Sequence, residues 1–104
     1  MTISLERFEQ SLSDAGLLSA EDMQILRGEL DSPPSDAAQY AESLVKQRSL
    51  TRFQAERVLA GEANRLVFDE YVIVDTIGAG GMGDVYKAVH QRMKRTVAVK
   101  AISP

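Results

Sequence analysis

The sequence predicts an α+β chain in which a small four-helix domain precedes a three-stranded antiparallel sheet. Up to about residue 66 the apolar residues recur every three or four positions, the period of amphipathic helices; beyond it they alternate, as half-buried strands require. Charge changes at the same place, from 7 basic and 11 acidic side chains in residues 1–66 to 5 and 4 in residues 67–104. In the second part, runs rich in Val, Ile and Tyr are separated by a glycine-rich turn and a basic turn.

The first helix is expected from Ser4 to Asp14, with Leu5, Phe8 and Leu12 on one stripe and Gly16 as its stop. Ser19 opens the second with Asp22 three positions on, a weak capping box, and Met23, Leu26 and Leu30 form its buried face. Pro33-Pro34 ends that stretch. The third begins at Ser35 or Asp36, whose oxygens suit an N-cap, and buries Ala37, Ala41, Leu44 and Val45. Thr51 with Gln54 reads as another capping box. It starts a helix over 52–60 that carries Phe53, Ala55, Val58 and Leu59 and closes at Gly61. Short helices of this kind are unstable alone, so they must pack together, giving a helical domain over residues 1–62. Residues 63–70 are expected as a linker. Strands are expected over 71–77, 84–90 and 95–102, in a second unit spanning 71–104.

Composition narrows the function. An apolar fraction of 44% suits a globular chain, and a net charge of -3 offers no footprint for nucleic acid or an anionic membrane. With no cysteine and one histidine, neither disulfides nor a thiolate or histidine metal cluster is expected. The first residues lack a basic region followed by an apolar stretch, and no run of about 18 apolar residues occurs, so neither a signal peptide nor a membrane contact is expected and a cytoplasmic location is.

The chemistry-bearing feature is Ile77-Gly78-Ala79-Gly80-Gly81-Met82-Gly83-Asp84-Val85, a G-x-G-x-x-G-x-V pattern. Missing side chains let a backbone approach phosphate closely. A P-loop would need Lys and then Ser or Thr after the last glycine, where Asp84 and Val85 stand. A Rossmann turn would start a helix there, yet Val85 to His90 alternates like a strand. The remaining context is a strand-turn-strand hairpin laid over phosphates, with a lysine on the next strand, and Val97-Ala98-Val99-Lys100 supplies both. Each feature has a plain structural alternative. A glycine cluster makes a flexible hairpin, and an edge-strand lysine discourages edge pairing. His90 and the turn Arg92-Met93-Lys94-Arg95 read as solvated surface.

With the glycine loop and V-A-V-K in this order, the segment GAGGMGDVYKAVHQRMKRTVAVK resembles the bacterial Ser/Thr protein kinases of the eukaryotic-like type. The helical leader, with Leu44-Val45-Lys46-Gln47 and Leu50-Thr51-Arg52-Phe53-Gln54-Ala55, is similar to N-terminal extensions of planctomycete members. The resemblance implies that residues 71–104 begin a kinase N-lobe and that ATP is the cofactor. Gly78, Gly80 and Gly83, with Ala79, Gly81 and Asp84 between and beside them, would shape the lid over the phosphates, and Met82 would shield them from water. Val85 and Ala98 would pack on adenine and Ile77 would close one side of the pocket. Lys100 would bind the α- and β-phosphates and pair with a glutamate on a later helix.

The H-R-D, Asn and D-F-G elements that transfer phosphate and hold Mg2+ do not occur in this chain. The resemblance therefore implies a longer Ser/Thr kinase with a protein substrate, and a chain inactive by itself with no catalytic or metal residue of its own. The other functional class is a binding module, the helical domain serving as a homodimer or protein-partner surface. Three strands alone would leave an apolar face bare, with Val72, Val74, Val85, Val97 and Val99 as candidates. That face is expected to pack on the helices, pair with a second chain, or be loosely ordered.

Overall fold

A computed structural model of the chain describes residues 3–80 and 83–102. It shows an α+β fold in which four helices precede one antiparallel sheet. The helices are α1 (Leu5–Asp14), α2 (Ala20–Gly28), α3 (Ala37–Lys46) and α4 (Arg52–Leu59). Their starts follow from side-chain capping: Ser4, Ser19 and Asp36 accept from the backbone N–H of Arg7, Asp22 and Gln39. At α4 the box is reciprocal, since Gln54 N–H donates to the Thr51 hydroxyl at 3.1 Å and Thr51 N–H to the Gln54 carbonyl oxygen at 2.9 Å. Gly16 and Gly61 follow α1 and α4 with φ of 77° and 80°, the left-handed turn that ends a helix cheaply only with glycine.

The sheet holds four strands in sequence order: β1 (Val67–Phe68), β2 (Tyr71–Gly80), β3 (Gly83–His90) and β4 (Thr96–Ile102). The fourth strand, β1, lies in the stretch expected as a linker, after a 3₁₀ turn at Ala63–Arg65. Two residues give no readable alternation, but Leu66 beside them is buried and Asp69, with φ 54°, turns the chain straight back onto β2.

One apolar core joins helices and sheet. Phe8, Leu12, Met23, Tyr40, Leu44 and Val58 form its helical part, Leu50 and Leu66 fill the connections, and Ile73 and Ala88 enter from β2 and β3. Tyr86, Val97 and Val99 pack against it, so of the three fates considered for the sheet, packing on the helices is the one observed. Val72, Val74 and Val85 are half-buried. Capping residues also tie the two parts: beyond Val72 the outer edge of β2 has no strand partner among the described residues, and there the Gln54 amide donates to the Ile73 carbonyl at 2.9 Å and the Thr51 hydroxyl to that of Val74. Two buried or partly buried carbonyls, costly if unpaired, are thereby satisfied. Among the described residues no helix is long and apolar enough to cross a membrane.

Tyr40 is wholly buried, edge-on to Phe8 at 5.8 Å, with the Arg27 guanidinium 5.3 Å from its ring centroid. Its hydroxyl makes no hydrogen bond among the described residues. Burial, and then the Glu9 carboxylate, push its pKa above the ordinary 10.0, against the opposing pull of Arg27. The protonated form is thus favoured in the fold, so this contribution to stability is complete below pH 10 and lost as pH rises through the folded value. Tyr40→Phe removes an unpartnered polar atom at almost constant volume. It is expected to raise stability by about 1 kcal/mol at pH 7 and to flatten the alkaline decline, both readable in thermal melts at pH 7 and above 10.

Candidate functional site

Strand register builds the site. Across the β2–β3–β4 ladder, Gly78 faces Val85 and Val85 faces Lys100, while Asp75 faces Lys87 and Lys87 faces Ala98. Directly opposed residues of antiparallel strands share a face, with Cβ atoms about 5 Å apart. Gly78, Val85, Ala98 and Lys100 therefore stand together on one side of the sheet. The alternate rows, Ile73-Ala88-Val97 and Thr76-Tyr86-Val99, turn the other way, and most of their side chains meet the helical core. A period of two divides the sheet into a face occupied by the helices and a face left open.

Two β-bulges shape the strand that leads to the glycines. Register slips between Ile73 and Asp75 and again between Thr76 and Gly78, so Val74 and Ile77 are extra residues on β2. Each bulge bends and twists its strand more strongly. Ile77, at the second, is 59% exposed, set apart from the core and beside the glycine hairpin. The hairpin closes with Gly80 opposite Gly83. Gly81 and Met82, expected at its tip, lie outside the described residues. Ala79, Gly80 and Gly83 belong to the paired strands.

At Gly78 an added Cβ would meet nothing within 4 Å, and its φ is not in the left-handed region. Neither internal packing nor backbone conformation requires glycine there, in contrast to Gly16 and Gly61. The open space is where a ligand could approach the main chain. Ala98 and Lys100 are exposed and Val85 is half-buried. Among the described residues Lys100 makes no ion pair.

Asp84 does not join this group. Its row alternates with that of Val85, and its carboxylate accepts from the Tyr86 hydroxyl at 3.1 Å. Burial first, then this contact, hold the Tyr86 pKa above its usual value. Lys87, by contrast, was not singled out in the sequence although it shares the open face two residues from Val85, where strict alternation would have found it. His90 is not simply solvated: it packs edge-on against Tyr71 at 4.9 Å and lies 3.1 Å from Glu70. Because Met93 N–H donates to Nδ1, the neutral ring carries its proton on Nε2 and donates it to Glu70.

Among the described residues no group of three or more His, Asp or Glu side chains could hold a metal ion. No family model, curated protein or solved structure matches the chain.

Proposed function

We propose that this chain is the phosphate-binding front of a longer ATP-dependent Ser/Thr protein kinase. The observation that carries this reading is the row Gly78-Val85-Lys100 on the face that the helices leave open, with a glycine the fold itself does not need. ATP fits these residues in kind: bare main chain for anionic oxygens, Val85 and Ala98 for an apolar base, and an exposed ammonium for phosphate. Lys100 would hold the α- and β-phosphates, and Ile77 would flank the base. The cofactor supplies the transferable phosphoryl group; this chain's residues bind and orient it, and the groups that hold Mg2+ and move the proton lie elsewhere in the enzyme. A protein Ser or Thr is the proposed acceptor.

Titration of the isotope-labelled chain with Mg-ATP tests this. Weak, saturable binding at about 1 mM or above is expected, since only part of the pocket is present. Amide shifts should concentrate at Gly78, Val85, Ala98 and Lys100 and spare Met23 and Tyr40. Shifts centred on the helices, or none on the open face, would refute it.

A further inference from the structure

On the opposite side of the sheet, where α4 and the β1 segment meet it, lies a cavity of about 380 Å³. Its walls are apolar: Leu66, Ile73 and Val99 with the rings of Phe53, Phe68 and Tyr86. The rings are already arranged, Phe53 and Tyr86 with centroids 6.0 Å apart and planes at 47°. Offset and edge-on contacts with a further ring are the favoured way to fill such a recess. The size is at the small end of ligand pockets, which span about 300–1,000 Å³. It suits one ring with a short chain and is too small for a helix or an extended peptide.

Two cations complete the lining, Arg57 and Arg65. Both reach the same carboxylate, with Nη1 of Arg57 at 3.1 Å and Nη1 of Arg65 at 3.4 Å from Glu62. Among the described residues Glu62 is the only carboxylate within 4 Å of either guanidinium, while Asp84, on the Tyr86 hydroxyl, is the next carboxylate on this face. Arg57 is held 5.0 Å over the Phe53 ring, which orders it; its side chain is 40% exposed and that of Arg65 76%, leaving N–H donors to spare. The Tyr86 hydroxyl is already engaged with Asp84, which does not line the cavity.

We propose that this cavity is a binding site for a small aromatic monocarboxylate, its ring between Phe53, Tyr86 and Val99 and its carboxylate on Arg57 and Arg65. A planar carboxylate matches the fork of a guanidinium. A neutral ligand would leave the spare guanidinium N–H donors to water. The site is independent of the phosphate-binding reading, because Tyr86 and Val99 point away from Gly78, Val85 and Lys100.

The test is calorimetric titration of the full chain with 4-phenylbutyrate and with its neutral amide, 4-phenylbutyramide. Single-site binding is expected, with the carboxylate preferred by about tenfold. The Arg57→Gln/Arg65→Gln variant should lose that preference while still binding the amide, and Val99→Phe, which fills the recess, should bind neither. Val99 is only half-buried. If its replacement nevertheless unfolds the chain by circular dichroism, the Arg variant decides alone. The proposal falls if neither probe saturates, if the amide binds as well as the acid, if the Arg variant keeps the preference, or if a folded Val99→Phe chain still binds.

Discussion

Phe8→Ala is expected to cost about 3–5 kcal/mol, the usual range for emptying a buried phenylalanine site. Phe8 is wholly buried in α1 and meets the Tyr40 ring edge-on at 5.8 Å, so truncation also removes an aromatic pair. Against a total stability of about 5–15 kcal/mol for a domain of ordinary size, the loss is severe. In urea the midpoint should fall by about 1–3 M. Because the core runs without a break from Phe8 and Tyr40 to Ile73 and Ala88, amides of β3 should lose exchange protection together with those of α3. A helix-only loss, with β3 protection intact, would show instead that the two parts fold separately.

On the proposed kinase reading, Lys100→Met in the longer enzyme is expected to reduce phosphorylation on the order of 10²–10³-fold, the scale of removing one positioned group that neutralises charge in a transition state. Stability should change by no more than about 0.5 kcal/mol, since Lys100 is exposed and without an ion pair among the described residues. Lys87→Met is the internal control. It removes the same charge from the same face, but from the row of Asp75 and Ala98 rather than that of Gly78 and Val85. Equal losses in the two variants would mean that general positive charge matters and position 100 does not; unchanged activity in Lys100→Met would overturn the kinase reading.

Much of the helical half was legible because its signals are local. Ser19 and Thr51 cap where their spacing predicts, Asp36 rather than Ser35 caps the third helix, Ser4 expected inside the first helix proves to be its cap, and Gly16 and Gly61 take the positive φ expected of them. Tyr40 was overlooked although it lies on the stripe of Ala37, Ala41 and Leu44, because a phenol is not automatically counted as core. Leu50 and Leu66 were missed for another reason. They sit between elements, where no period marks a residue as buried. In the sheet, alternation located three strands, but the bulges at Val74 and Ile77 left no sign, since nothing in the chain marks where two residues will oppose one.

By itself, then, the order of residues determined the helices, most of their caps and the long strands, all of them consequences of spacing along one chain. Only the tertiary structure decided which face of the sheet the helices cover, that Thr51 and Gln54 also bind the edge of β2, and that Arg57 and Arg65 converge on Glu62 beside an apolar recess. Capping and alternation are settled within a few residues. Burial of one face rather than the other depends on which apolar surfaces, far apart in the chain, exclude water together.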